Sequence, residues 1–412
     1  MFVIENKSDL LYTNLDKLIE TGCFENKKIV LFGLNTSSYV TKKYLESKGY
    51  TIYAYVDNND KKVLESNEML VDILPRHIPI STYNELRRVM VKAYTPHELL
   101  GQYMDDVVIL IASKYYPSMC QQLEQMGYAE NIHIFKTLDF YGIEDIIKDD
   151  TTLDGLDELS TSEIRKIQLQ ITQYVKDLCR DNGLQCYMTG GTLLGAVRHK
   201  GYIPWDDDID LTIPMPDYKK LIDLIIEDDQ YDVFTTYNEP DRCSHFYMKI
   251  IDRNTVMKLW EYPFLTTSGV SIDVFPLIGL PNRMDETRNF FNRVRHLNTV
   301  FSNSFLETIE ADEAMQEYRK TIRNQVVAMI EQYDYYESEN TGYILSKYWE
   351  KDIMPRAVYS GEIDMQFEDI ALAAPVGYAE YLERIFGDYM QLPPEKEQYV
   401  THNYKVYGNV EL

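Results

Sequence analysis

The sequence predicts an α/β protein in two parts, a parallel-sheet half followed by an α+β half with covering helices. Three observations carry that prediction. Short apolar runs alternate with helical patterns through the first third of the chain. A complete helix-start signature stands at Ser160. A double glycine then precedes a run of carboxylates at residues 206–210. The chain has 412 residues, too many for one ordinary core, and its 45% hydrophobic content supplies apolar material for two.

In the amino half, Lys28-Ile-Val-Leu-Phe-Gly33 reads as a buried strand ending in glycine, and Thr36 to Lys48 as a helix closed by Gly49. Thr51 to Val56 is the next strand, ending at Asp57. Val107-Val-Ile-Leu-Ile-Ala112 is a further, wholly apolar strand, followed by a helix from Pro117 to about Met126. Strands alternating with helices imply a parallel sheet, hence a Rossmann-like domain over residues 1–146. Asp57 stands where a ribose-binding acid belongs. Gly33-Leu-Asn-Thr-Ser-Ser38 keeps only one glycine of the dinucleotide fingerprint, so two readings stay open. One is nucleotide binding at Gly33 and Asp57. The other is a docking or assembly domain without cofactor, of the small Rossmann-like kind found beside glycan-modifying enzymes, which the Gly-x-Asn turn and Val56-Asp-Asn-Asn59 resemble.

Residues 147–159 are acidic and polar and read as a linker. The second domain, 160–412, opens with the capping box Ser160-Thr-Ser-Glu163. Ile164, Ile167, Ile171, Val175 and Leu178 form the apolar stripe of its first helix, which Asn182-Gly183 stops. Leu184 to Met188 is a short strand running into Gly190-Gly191, and Leu193 to Arg198 is the next helical turn. Strand, glycine turn and helix start is a geometry whose backbone N–H groups hold phosphate oxygens. Later, Arg288 to Phe305 and Glu310 to Tyr333 read as amphipathic helices covering the sheet, and Glu395-Lys-Glu with the last residues as a surface tail.

The carboxylates are Asp206, Asp207, Asp208 and Asp210. Ile209, Leu211 and Ile213 alternate with polar positions, the period of a strand with one buried face, so Asp206, Asp208 and Asp210 are expected on the other face. Acids sharing a face repel one another unless a cation neutralises them, and Mg²⁺ or Mn²⁺ prefers such oxygen ligands. A solvated acidic loop is the plainer alternative, and the apolar alternation argues against it. A calcium loop is the other, with Asp217 as its last acid, but Leu211 replaces its turn glycine. A further acid, Asp273, lies in Gly269-Val-Ser-Ile-Asp-Val-Phe-Pro276, whose Val270, Ile272 and Val274 form the buried face. Lys249, with Arg198 and His199, is a candidate to neutralise phosphate; for each of them a surface salt bridge is the ordinary alternative.

Gly190-Gly-Thr-Leu-Leu-Gly-Ala-Val-Arg-His-Lys-Gly-Tyr-Ile-Pro-Trp-Asp-Asp-Asp-Ile-Asp210 resembles the signature of the LicD family. Ile272-Asp-Val-Phe-Pro276 and Phe386-Gly-Asp-Tyr-Met-Gln-Leu-Pro-Pro394 with His402 extend the likeness over about residues 160–405. The resemblance implies a nucleotidyltransferase-like fold. It also implies transfer of phosphocholine, or a related phospho-group, from a CDP-activated donor to a hydroxyl of a glycan or lipid-linked glycan, such as a teichoic acid or lipopolysaccharide precursor. Fukutin-related transferases, which use CDP-ribitol, share that core. By the same resemblance Gly190, Gly191 and Thr192 match the phosphate loop, and Asp206, Asp208, Asp210 and Asp273 match the metal-binding acids. Asp208, Asp210 and Asp273 are the expected catalytic residues. Two rivals stay open: transfer of the nucleotide itself on the same fold, and NAD-dependent oxidation through the first domain.

A net charge of −25 argues against nucleic acid, whose phosphates would be repelled. An acidic protein that handles an anionic nucleotide must supply local cations, which favours bound metal. The five cysteines show no ligand spacing, and neither a signal peptide at Met1-Phe-Val-Ile-Glu-Asn nor a long apolar span is evident. The expectation is a cytoplasmic protein with reduced thiols; its oligomeric state is open, a homo-oligomer included.

Overall fold

The computed structural model describes residues 3–5, 9–60, 62–64, 66–67, 91–113, 115–138, 153, 155–261, 264–307, 313–343, 345–346, 348–394, 398 and 404–409. It is a mixed α/β structure in two compact units. One is built from residues 5–152 with 260–265, the other from 1–4, 153–259 and 266–412. Most of 147–159, the whole of 395–397 and His402 lie outside the described residues.

The first unit is organised on a parallel five-stranded sheet. In chain order it contains α1 (Asp9–Glu20), β1 (Lys28–Phe32), α2 (Thr36–Ser47), β2 (Ile52–Val56), β3 (Ala93–Tyr94), α3 (Pro96–Leu100), β4 (Val107–Ile111), α4 (Tyr116–Gln125) and β5 (Ile134–Lys136). The spatial order is β3-β2-β1-β4-β5, every pairing parallel. Helices cover both faces, which is why the strands read as unbroken apolar runs. Ile29, Leu31, Val108 and Leu110 pack with Leu11, Leu15, Val40 and Leu45 of α1 and α2. Val30, Phe32, Ile109 and Ile111 pack on the other face with Leu100, Met119 and Leu123.

At the carboxyl end of β1, Gly33 adopts φ +114°, a left-handed conformation that only glycine takes without strain. Asn35 caps α2 by accepting the N–H of Ser38. The Asp57 carboxylate is bound to the turn itself, accepting Leu34 N–H at 2.7 Å and Asn59 N–H at 2.8 Å.

The second unit begins with β6 (Asp157–Glu158) and α5 (Thr161–Asp181), whose capping box closes in both directions between Ser160 and Glu163. Then come β7 (Tyr187–Met188), α6 (Gly190–His199), β8 (Asp210–Pro214), α7 (Met215–Asp228), β9 (Asp232–Phe234), β10 (Met248–Ile251), β11 (Thr255–Glu261) and β12 (Ser271–Leu280). Helices α8 (Met284–Glu307) and α9 (Glu313–Ile330) follow, then β13 (Asn340–Gly342), β14 (Met354–Pro355), the hairpin β15 (Glu362–Phe367) and β16 (Ile370–Pro375), α10 (Tyr378–Phe386) and β17 (Tyr404–Gly408). The main sheet runs β9-β10-β12-β13-β14, with β8 parallel to β12 and β7 antiparallel on β8. Separately, β11 pairs with β17 and β17 with β6.

One large core dominates this unit, beside a small cluster of Phe234, Cys243 and Ile251. Ile164, Ile167, Ile171 and Val175 from α5 meet Leu211 and Ile213 of β8, Ile272 and Val274 of β12, and Met248 and Ile250 of β10. Each is nearly or wholly removed from water. The apolar alternation therefore fixes which way the intervening polar residues of β8, β10 and β12 point.

Candidate functional site

On the sheet's other face the polar residues form a row. Strand β8 runs parallel to β12 with Asp210 opposite Asp273, and β10 runs antiparallel to β12 with Lys249 opposite Asp273. Lys249 Nζ sits 2.8 and 3.1 Å from the two Asp273 oxygens, and 5.3 Å from the centre of the Tyr247 ring. Both members of this ion pair are about one-fifth exposed, so the pair is far less screened than a surface bridge.

The run before Asp210 departs from expectation. Asp206, Asp207 and Asp208 are not strand residues; β8 begins only at Asp210. They occupy a loop opened by a turn in which Asp206 N–H bonds the carbonyl of Ile203. The reason is that the loop's carbonyls are taken by side chains of α5 rather than by a neighbouring strand. Arg165 Nη2 donates to Asp206 O at 2.6 Å, and Gln168 Nε2 to Asp207 O at 2.9 Å. Alternation therefore does not set the direction of these acids. Asp207, expected to point away from its neighbours, joins them: one carboxylate oxygen from each of Asp206, Asp207 and Asp208 lies within 4.8 Å of the others. Asp210 and Asp273 stand outside that trio, side by side on their strands. Asp217, the would-be last acid of a calcium loop, is buried in the first turn of α7 and accepts Gln185 N–H at 3.1 Å.

The glycine turn and the acids meet. A Cβ on Gly191 would fall well inside contact distance of Asp206 Oδ2, and one on Gly190 would lie 3.1 Å from Asp210 Oδ2. Gly190 also has φ +53°. The pair is thus required by the approach of two carboxylates to the start of α6, where the helix dipole favours negative charge. The backbone groups here are partly committed. Gly190 N–H donates to Tyr381 Oη at 3.2 Å, and the buried Thr192 hydroxyl accepts Asp210 N–H at 2.8 Å. Thr192 therefore ties helix to strand.

Arg198 and His199 end α6. Arg198 Nε donates to His199 Nε2 at 2.9 Å, and its Nη1 reaches the carbonyls of Tyr389 and Gln391 at 3.0 and 3.3 Å. Arg198 thus fastens the Phe386–Pro394 segment to α6. Burial lowers the proton affinity of His199, and the neighbouring Arg198 cation lowers it further.

Several residues around the acids escaped sequence reasoning. Tyr404 of β17 hydrogen-bonds Asp207, and burial first, then that acid, raises its phenol. Burial likewise raises Tyr348, whose nearest charges include Asp210, Asp206 and Asp208. The Tyr202 hydroxyl donates to Gln168 Oε1 at 2.9 Å, and its N–H to Glu368 of the β15–β16 turn at 3.0 Å. Asp352, buried behind this region, has its carboxyl raised to about 7 by desolvation, against a hydrogen bond from Ser346. Only Gln168 left a signal in the sequence, as a polar residue on the apolar stripe of its helix.

The donor set is carboxylate oxygen throughout, which fits a hard divalent cation such as Mg²⁺ or Mn²⁺ and not a soft metal. Comparison with known proteins agrees with where these residues lie. Residues 183–312 match the family described as LicD/FKTN/FKRP, nucleotidyltransferase domain. The chain is 29% identical over 269 residues to lipopolysaccharide cholinephosphotransferase LicD of Haemophilus influenzae, covering 61% of this chain and 98% of that protein. A segment of 48 residues is 42% identical to ribitol 5-phosphate transferase FKRP of Homo sapiens, covering 12% of this chain and 10% of that protein. An uncharacterized protein of Rickettsia typhi is 34% identical over 101 residues, 19% of this chain and 33% of its own length. The span that matches holds the glycine turn, the acid loop, Lys249 and Asp273, so these residues lie in the part of the chain that is similar to the LicD family.

Proposed function

We propose that this protein is a metal-dependent transferase that moves phosphocholine, or a related phospho-group, from a CDP-activated donor to a hydroxyl of a cell-surface glycan precursor, releasing CMP. The observation that carries the reading is the convergence of Asp206, Asp207 and Asp208 beside the Gly190-Gly191 helix start, next to the Asp210–Asp273–Lys249 row. The relatives' printed activities, transfer of cholinephosphate and of ribitol 5-phosphate, supply the substrate class.

In this reading Asp206, Asp208 and Asp210, with Asp207 beside them, would hold Mg²⁺ or Mn²⁺, and Asp273 stands next to Asp210. The chemistry such a cation would supply is neutralisation of diphosphate charge. Asp273 orients the acceptor hydroxyl and takes its proton. The hydroxyl oxygen forms a bond to the phosphorus that bears the head group, the bond from that phosphorus to the bridging oxygen breaks, and CMP leaves with the electron pair. Lys249, released from Asp273 by the incoming substrate, offsets phosphate charge. The N-terminus of α6 at Gly190, Gly191 and Thr192 receives the donor, while Arg198 and His199 shape the rim through Tyr389 and Gln391. No covalent enzyme intermediate is required.

We read the first unit as Rossmann-like. Its turn keeps only Gly33 of the dinucleotide fingerprint, which disfavours the NAD-dependent alternative. We take the protein to be cytoplasmic, a compartment in which its five thiols would stay reduced. Among the described residues no helix is long and apolar enough to cross a membrane.

The test is incubation with CDP-choline, CDP-ethanolamine, CDP-ribitol and CDP-glycerol, each with a glycan acceptor, and measurement of CMP. Release with one donor, abolished by chelator, is the expected result. Pyrophosphate release from CTP and a phosphorylated acceptor, without CMP from any donor, would establish nucleotidyl transfer instead.

A further inference from the structure

Residues 203–208 lie outside the strand ladders, the first strand contact being Asp273 N–H to Ile209 O at 2.9 Å, yet they carry three carboxylates that repel one another. Two side chains of α5 grip this loop by its backbone. Arg165 Nη2 reaches three carbonyls, those of Asp206 at 2.6 Å and of Ile203 and Pro204 at 3.4 Å each. Its guanidinium lies over the Tyr202 ring, 4.5 Å from the centroid. Gln168 is buried, and both ends of its amide are used: Nε2 donates to Asp207 O at 2.9 Å and Oε1 accepts from Tyr202 Oη at 2.9 Å.

We propose that Arg165 and Gln168 are positioning residues that pre-form the metal site by fixing the backbone of residues 203–207. The inference rests on the reading of the acid trio as a divalent-cation site. A polar amide on the apolar stripe of α5 is costly unless fully bonded, so its presence at Gln168 has to be explained by what it holds. A guanidinium, unlike an ammonium, can lie over the Tyr202 ring while one of its nitrogens, Nη2, reaches several carbonyls. With the backbone fixed in advance, an incoming cation finds the carboxylates gathered and does not have to order the loop.

The test measures Mn²⁺ binding to the full chain by electron paramagnetic resonance, with thermal unfolding alongside, for the parent, Arg165→Met, Arg165→Lys and Gln168→Met. Arg165→Met and Gln168→Met are expected to bind Mn²⁺ about 10–100-fold more weakly than the parent, the range for residues that orient metal ligands. Arg165→Lys should recover only part of that loss, because an ammonium cannot lie over the ring and reach the carbonyls in the same way. If Arg165→Met does not fold, the other two variants decide. Affinities within about twofold of the parent, whether or not melting temperatures fall, would overturn the proposal, since a purely structural role lowers stability without changing the affinity of folded protein. A parent chain that binds no Mn²⁺ removes the metal reading and this inference together; a parent that binds while its variants bind equally removes this inference alone.

Discussion

Gly191→Ala separates catalysis from stability more cleanly than any other change at this site. Gly191 sits in the first turn of α6 without a positive φ, so alanine is compatible with its backbone. Alanine is the better helix former by about 1 kcal/mol in a helix interior, and a smaller gain is expected in a first turn. The added Cβ meets the far end of the Asp206 side chain and no backbone. A carboxylate can swing aside, so folding loses little. It must move by roughly 1 Å to restore ordinary van der Waals contact. That displacement pulls one of three oxygens out of the trio, and misplacement on this scale costs about 10²-fold in rate. The corresponding barrier is about 2.7 kcal/mol.

The assay pairs CMP release in saturating Mg²⁺ with thermal unfolding of the same preparation. The expected result is a melting temperature at or above the parent's with a hundredfold lower turnover. A variant that keeps turnover within about threefold of the parent, well under 1.4 kcal/mol of barrier, would show that Asp206 does not need its position and is no ligand. Gly190→Ala behaves differently. Its φ of +53° adds a backbone cost of about 1–2 kcal/mol, so both readouts should fall.

Asp208→Asn and Asp210→Asn should each abolish CMP release while stability holds or rises, because removing one charge relieves acid–acid repulsion; calorimetry and the CMP assay check the two halves. Chelator should stop turnover, with Mg²⁺ or Mn²⁺ restoring it and Ca²⁺ restoring it poorly, as read by CMP release after metal back-titration. Asp273→Asn should lower kcat far more than it weakens donor affinity by calorimetry, the pattern for a group needed in the transition state. Asp352 has a folded-state carboxyl raised to about 7 from an ordinary value of 3.8, so the parent loses stability as pH rises through that window. Asp352→Asn should therefore gain on the parent from pH 4 to 7, by on the order of 1–4 kcal/mol in denaturant titrations, and a pH-independent difference would refute it.

The strands were legible where their physics is local. Val107 to Ile111 is apolar throughout because both faces are covered; on β8, Leu211 and Ile213 alternate with Asp210 and Thr212, although Thr212 is buried as well. The capping box at Ser160 is local too, and it closes as its four residues require. The acid loop was not legible for the opposite reason. Its conformation is set by Arg165 and Gln168, some forty residues upstream in α5, and nothing within residues 206–208 records that. Extending the alternation of Ile209, Leu211 and Ile213 backwards put Asp207 on the wrong side. The same distance in sequence hid the engagement of Arg198 with Tyr389 and Gln391, and of Tyr404 with Asp207.

What the core does for the site follows from register. Leu211 and Ile213 on β8 and Ile272 and Val274 on β12 are all buried, while Asp210 and Asp273 face the other way as cross-strand partners. Because side chains alternate with a period of two, a slip of one residue on either strand would turn its two apolar residues outward and drive its acid into the core. Displacing the two apolar side chains of one slipped strand costs roughly 3–6 kcal/mol before any charge is buried, at 1.5–3 kcal/mol each. With the cost of burying the acid added, this is comparable with the net stability of a typical domain, so a slipped register is not a populated alternative. The Asp210–Asp273–Lys249 row is therefore as rigid as the hydrophobic packing beneath it. The trio at 206–208 has no such backing, and its geometry depends on what α5 holds.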